Sequence, residues 1–215
     1  MRIALLLLLA ALGSAHAQSL GVRALTTTPP EMGTLHFLEL SRAGHTYTVV
    51  PPGRDWMAQL DAPNARLQFS APTGTVRVAL RFTTNAVRDV IATPESLRQH
   101  AAPDLGDVRP FAESDVFGGD AAGRSADFAY ALLGHARRCR VAALPVPGGT
   151  VDFVLQCSAD EFPAAQQALG ALINTFRRTS RTAAESAATE KTSPRASLEF
   201  PATMKPEQLR GGLRT

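Results

Sequence analysis

Arg137-Arg138-Cys139-Arg140-Val141-Ala142-Ala143-Leu144-Pro145-Val146-Pro147-Gly148-Gly149-Thr150-Val151-Asp152-Phe153-Val154-Leu155-Gln156-Cys157 reads as two strands about a Pro-Gly-Gly turn. A long amphipathic helix follows as far as Arg178. Val151, Phe153, Leu155 and Cys157 alternate along the second strand and share one face. Cys139, Val141 and Ala143 alternate along the first. A loop with an odd number of residues, centred on Gly148, sets Cys139 opposite Cys157, Val141 opposite Leu155 and Ala143 opposite Phe153. A slip of one residue would place the two cysteines on opposite faces and break these apolar pairs. In the helix, Phe162, Ala165, Leu169, Leu172, Ile173 and Phe176 form one stripe at helical spacing.

The N-terminus points to export. Met1-Arg2 is a short positive start, Ile3 to Leu12 is an apolar run too short to span a bilayer, and Ala15-His16-Ala17 has the small-x-small pattern of a signal-peptidase site. The expectation is a signal peptide over 1–17, a mature chain from Gln18, no later membrane span, and a periplasmic or secreted location. An oxidising compartment and the matched register predict a Cys139–Cys157 disulfide. Such a bridge would contribute on the order of 3 kcal/mol through loop closure.

Charge argues against nucleic acid. The chain has 22 basic and 19 acidic residues, and the segment from Arg181 onward carries a formal +2 of the total +3. Once Arg2 leaves with the signal, the preceding domain is neutral, whereas nucleic-acid domains are strongly basic.

Taken in order, 18–33 is polar and threonine-rich, broken by Pro29-Pro30, and reads as a flexible leader. Residues 34–180 form a single domain, and 181–215 a tail too poor in apolar residues to fold, hence disordered. Leu198 to Phe200 is the tail's one sticky spot. Within the domain, Leu35 to Ser41 and Thr46 to Val50 form a hairpin. Asn64 to Ser70 and Thr75 to Thr83 alternate as a half-buried antiparallel pair, and Arg124 to Leu132 alternates again. Thr93-Pro94-Glu95 starts a helix that Pro103 stops. Asp107 to Gly123 reads as irregular. The fold class is α+β, an antiparallel β-sheet packed by two helices. Its polar face would carry Arg66, Gln68, Arg77, Arg81, Arg138, Arg140, Asp152 and Gln156.

One stretch runs from Tyr47 through Pro52, Gly53 and Trp56: a hairpin, a proline-glycine turn and a tryptophan. A middle helix, three strands and a closing helix from Asp160 to Phe176 follow. This order resembles the PsbP-like α/β/α sandwich family over about Leu35 to Arg178. The resemblance implies a sandwich fold and a small exported or lumenal accessory or binding module. No family functional residue has a counterpart among these motifs, and the disulfide is not part of the pattern.

No local motif carries chemistry. His36, His45, His100 and His135 form no H-E-x-x-H or other close ligand pair, and there is no G-x-S-x-G elbow. Gly118-Gly119-Asp120-Ala121-Ala122-Gly123-Arg124 lacks the Lys-Ser/Thr ending of a phosphate loop. Trp56 fits a core or edge anchor. The sequence therefore assigns no catalytic, cofactor or metal residue. It favours a non-enzymatic envelope binding or accessory module, with Arg77, Arg81, Arg138 and Arg140 as the face for an envelope protein or an anionic ligand. The alternative is a periplasmic hydrolase or other enzyme whose site, such as one of the histidines with Asp115 or Asp127, assembles only in three dimensions. A pocket holding a histidine and a carboxylate in hydrogen-bond reach would favour that enzyme.

Overall fold

The computed structural model describes residues 19–28, 34–85, 90–106, 108–119 and 121–179. The expected signal peptide, residues 18 and 29–33 of the leader, and the tail 181–215 lie outside the described residues. Among the described residues, eleven strands and two α-helices come in this order: β1 Gly21–Thr27, β2 Leu35–Arg42, β3 His45–Val49, β4 Met57–Asp61, β5 Arg66–Ser70, β6 Arg77–Thr83, α1 Pro94–Ala101, β7 Pro110–Gly118, β8 Ala121–Leu132, β9 His135–Val146, β10 Gly149–Ser158, α2 Phe162–Thr175 and β11 Arg177–Thr179. Seven strands make one sheet in the order β4-β5-β6-β10-β9-β8-β7, and four make a second in the order β1-β2-β3-β11. Every ladder is antiparallel. The α+β class stands.

The seven-stranded sheet is covered on both faces. On one, the α2 stripe (Phe162, Ala165, Leu169, Leu172, Ile173) joins Leu40, Tyr47 and Val49 of the small sheet over Leu67, Phe69, Val78, Leu80, Val151, Phe153 and Leu155. Tyr47 stacks on Phe176 with ring centroids 5.2 Å apart, and Phe153 meets the same ring edge-on. On the other face, α1 packs Leu97 with Val90 and Ala102 against Ala126, Phe128, Cys139, Val141 and Ala143. The start of α1 is as its sequence requires: Thr93 and Ser96 form a reciprocal capping box, with proline at the first turn.

Cover on both faces overturns the hairpin register expected from the sequence. The β9–β10 turn has two residues, Pro147 and Gly148, with Gly148 at φ 79°. Gly149 belongs to the strand: a Cβ there would lie 1.9 Å from the carbonyl oxygen of Thr83 on the neighbouring β6, so only glycine permits that approach. Cys139 therefore pairs with Gln156 and Cys157 with Arg138. The slip exposes nothing apolar, because Phe153 now faces Ala142, Val151 faces Leu144 and Val154 faces Val141. The expected Cys139–Cys157 disulfide is thus corrected to two free, buried thiols on opposite faces of the sheet. Burial pushes Cys139 up to about 12, helped by the charge of Asp127, and Cys157 up to about 11, helped by Glu161.

Two segments read as irregular are strands. Gly21–Thr27, within the expected leader, pairs along β2 and is anchored by fully buried Leu20. Pro110–Gly118, within the expected irregular stretch, is β7, the outer strand of the large sheet.

Candidate functional site

Three clusters could carry function, and the first lies beneath α1. Asp152, wholly buried in the middle of β10, accepts from Arg81 of β6 at 3.1 Å and from Thr150 at 3.3 Å, and lies 3.1 Å from Nε2 of His100 at the end of α1. Arg81 also donates to the His100 carbonyl at 2.6 Å, clamping the last turn of the helix to the sheet. Thr83 Oγ1 reaches His100 Nε2 at 3.2 Å and Thr150 Oγ1 at 2.6 Å. Asn85 Nδ2 meets His100 Nδ1 at 2.9 Å. With the Asn85 amide donating to Nδ1, Nε2 carries the proton towards Asp152.

This is a histidine and a carboxylate within hydrogen-bond reach, yet the geometry is wrong for a nucleophile relay. Such a relay needs the acid on one ring nitrogen and the hydroxyl on the other. Here Asp152 and Thr83 share Nε2, and an amide occupies Nδ1. The cluster ties α1 to the sheet.

The second cluster corrects the expected arginine face. Arg77 and Arg81 pair across the ladder with Gln156 and Asp152, on the α1 side, whereas Arg138 and Arg140 pair with Cys157 and Leu155, on the α2 side. The four do not share a surface, because the register differs by one residue from that expected. Arg140 grips Asp127 of β8 with two nitrogens, one bond measuring 2.6 Å, and Gln166 of α2 donates to the same carboxylate at 3.1 Å. Arg138 lies over the Phe111 ring, 4.5 Å from its centroid. Arg77 remains exposed beside Gln68 and Ser70 on the part of the sheet that α1 leaves open.

Of the expected pairing of a histidine with Asp115 or Asp127, the Asp127 arm is not formed, since that carboxylate is taken by Arg140 and Gln166, and His100 lies on Asp152 instead. Among the described residues, no three His, Cys, Asp or Glu side chains converge as metal ligands. Trp56 is partly buried against the core, its indole 2.7 Å from where a Cβ on Gly53 would stand.

The third cluster lies along β7, which sequence reasoning missed. Among the described residues no strand pairs with its outer edge. A bulge between Pro110 and Ala112 shifts its ladder to β8, and Phe111 lies on the α2 side, 6.1 Å from Phe162. Phe111 is 51% exposed and Phe117 63%. Between this strand and α2 runs a shallow groove of about 80 Å³, lined by Ser114, Asp115 and Val116 of β7, Ser125, Arg140 and Ala142, and Leu169, Gly170 and Ile173 of α2. One end is closed: Gly118 lies so near Leu144 and Ile173 that a Cβ would come within 2.4 Å of the Leu144 side chain. Beside the groove, a Cβ on Gly170 would meet nothing within 4 Å. The Ser114 and Ser125 hydroxyls lie 2.8 Å apart on its floor.

That volume is below the several hundred Å³ of a small-molecule pocket. It has the scale of a niche for part of one side chain, set beside a strand edge. The signal in the sequence is weak: aromatic residues flank the acidic Glu113-Ser114-Asp115, a charged edge strand without alternation.

No family model and no curated protein matches the chain. Among solved structures, a protein from Bacteroides thetaiotaomicron superposes with a TM-score of 0.43 at 13% identity, covering 65% of this chain and 46% of that one. This chain thus spans less than half of that protein. The solution structure of cyanobacterial PsbP from Synechocystis gives 0.42 at 11% identity, covering 76% of this chain and 95% of its own. LpqN, described as involved in cell envelope biogenesis of Mycobacterium tuberculosis, gives 0.37 at 14% identity, covering 77% and 88%. The likeness to PsbP is a weak one at the level of fold. Among the described residues no helix is long and apolar enough to cross a membrane.

Proposed function

We propose that the chain is a non-enzymatic binding module of the cell envelope, periplasmic or secreted, and that it takes an extended segment of a partner along β7 beside α2. The observation that carries this reading is a nine-residue edge strand with two large exposed aromatic rings and a niche against a helix. Addition of a strand to such an edge supplies main-chain hydrogen bonds, and the niche selects one side chain. Self-pairing is disfavoured: two antiparallel copies of β7 centred on Ser114 would set Glu113 of one against Asp115 of the other. The envelope assignment rests on the signal-like N-terminus. Asp127 and His100, two of the groups the hydrolase alternative names, serve other partners.

The test is selection of random extended peptides on the immobilised chain, with affinity read by fluorescence anisotropy and the footprint by amide hydrogen exchange. Selected peptides should slow exchange in Pro110–Gly118, and Gly170→Phe should weaken them at least about tenfold by filling the niche. A footprint elsewhere, or full binding by the Gly170→Phe chain, refutes the reading.

A further inference from the structure

We infer that the tip of the β8–β9 hairpin is a wedge for an anionic lipid surface, at a site separate from the groove. The ladder of β7 on β8 stops at Pro110 opposite Phe128, and that of β10 on β9 stops at Ser158 opposite Arg137. β8 and β9 stay paired beyond both, as far as Leu132 opposite His135. Among the described residues the two strands therefore project from the sheet. The Ala159 N–H, donating to the Ala136 carbonyl at 3.2 Å, holds the base of the projection.

What the projection displays is apolar. Ala129-Tyr130-Ala131-Leu132-Leu133-Gly134-His135-Ala136 contains no Asp, Glu, Lys or Arg. Leu132 is 54% exposed, and Leu133, in the turn itself, is 92% exposed. Leu133 and Gly134 have φ of 51° and 79°, as in the two-residue turn whose first position favours Asn, Asp or Gly. A leucine at that position is strained and buries almost nothing. The β2–β3 turn repeats the pair of positive φ values with only a methyl at the matching place, Ala43 at 48°. Neither the fold nor solubility calls for the bulk of Leu133, and a strained, exposed apolar side chain points to a contact made outside the chain.

Charge identifies that contact. Arg137 and Arg138 follow the tip at once, one on each face of the hairpin. Arg137 donates to the Tyr130 hydroxyl across the ladder, and Arg138 lies over the Phe111 ring. Exposed Arg109, just before β7, adds a third cation at this end. The nearby acids are Asp160, which is exposed, and Glu161, which accepts from Thr75 and Ser158. Three residues of strand set the turn about 10 Å beyond the arginine pair, close to the roughly 5–10 Å that interfacial segments enter. Leucines at the acyl boundary with a tyrosine and guanidiniums among the headgroups is the order that a membrane interface selects. Insertion stops at that depth, because backbone groups on the outer edges of the hairpin need water or headgroups. A protein partner would have to enclose so narrow a tip in a concave apolar pocket, whereas a lipid surface parts around it.

Vesicle co-sedimentation of the chain from Gln18, free of the apolar N-terminal run, tests the inference. Vesicles of equal parts phosphatidylglycerol and phosphatidylcholine should bind it at least about tenfold more tightly than phosphatidylcholine alone. L132S/L133N should bind the mixed vesicles at least about tenfold more weakly. Leu133→Asn alone should weaken binding while keeping or raising the urea midpoint, since asparagine suits the turn. A bimane on Leu133→Cys, attached while the native thiols are buried, should shift to the blue on the mixed vesicles. A bimane on Pro147→Cys, at the opposite end of β9, should not. No binding to the mixed vesicles overturns the inference. So does undiminished binding by both tip variants, or an equal shift of the two labels, either of which assigns the lipid contact to another surface. A lipid-free dimer that Leu133→Asn abolishes assigns the tip to a second copy and overturns it as well. Gly170→Phe should leave vesicle binding unchanged, so the tip and the groove stand or fail separately.

Discussion

Replacement of Asp152 by asparagine decides whether the cluster beneath α1 is a structural clamp. The carboxylate is wholly buried and faces donors from Arg81, Thr150 and His100 at 3.1, 3.3 and 3.1 Å. Asparagine keeps the volume and one acceptor oxygen, removes the charge, and turns an NH₂ towards donors. Hydrogen bonds to charged groups contribute roughly 1.5–3 kcal/mol each. The Arg81 side chain is 32% exposed and can regain water, whereas His100 at 12% largely cannot. The net loss should be about 3 kcal/mol, the low end for breaking a buried ion pair. At a urea m-value near ~2 kcal/mol/M, the midpoint falls by about 1.5 M. Amide exchange should localise the loss to α1. Combining Asp152→Asn with Arg81→Leu should cost less than the sum of the two single changes by at least ~1 kcal/mol, because the second removes the cation left unpaired by the first. A midpoint change equivalent to less than about 0.5 kcal/mol would show that apolar contacts alone hold the helix and that the clamp argument is wrong.

Two further expectations follow from the register. Both thiols should resist alkylation until the chain unfolds. Because burial raises their pKa from 9.0 to about 12 for Cys139 and about 11 for Cys157, their contribution is fully present below pH 9 and is lost as pH rises towards 11–12. Urea titrations from pH 8 to 10 should show stability falling above pH 9, with Cys139 contributing up to about 1.4 kcal/mol per pH unit. Cys139→Ala should flatten that slope, and an unchanged slope would contradict the assignment. Arg77→Glu should shift stability by no more than about 0.5 kcal/mol. Arg81→Glu, which sets a carboxylate beside Asp152, should cost about 3–5 kcal/mol by the same measurement, and equal effects would refute the placement of the two arginines.

Much of the architecture was legible from residue patterns. The Thr93-Pro94-Glu95 start, the Phe162 to Ile173 stripe and the alternation of β5, β6, β8 and β10 all lie where the pattern put them. The misses have physical causes. β1 is rich in threonine, and β7 is an edge strand with charges near its middle, so neither displays an apolar row. The hairpin register was ambiguous because three successive residues, Pro147-Gly148-Gly149, all suit a turn, and only the approach of the Thr83 carbonyl commits Gly149 to the strand. That single residue decided the cysteines and the arginine face together. The burial of Asp152 did have a signal: it interrupts the apolar run Thr150 to Leu155, the mark of a strand covered on both sides. Its partners, Arg81 and His100, are too distant in the chain for any local pattern to name.

The strand order of the large sheet has a consequence for how the chain reaches this state. Five of its six ladders join strands consecutive in sequence, and the sixth, β6 with β10, joins two meanders. Thr83 and Thr150, which bond across that seam, are 67 residues apart. Closure entropy grows only with the logarithm of loop length, but it must be met before the seam's contacts can offset it. The conformational cost of topology therefore concentrates in one ladder. On either side of it, the β4–β6 and β7–β10 units each present a long unpaired edge until they meet, β6 and β10 being complementary templates within one chain. At the top of that seam, Gly149 against the Thr83 carbonyl lets the two backbones close without a side chain between them.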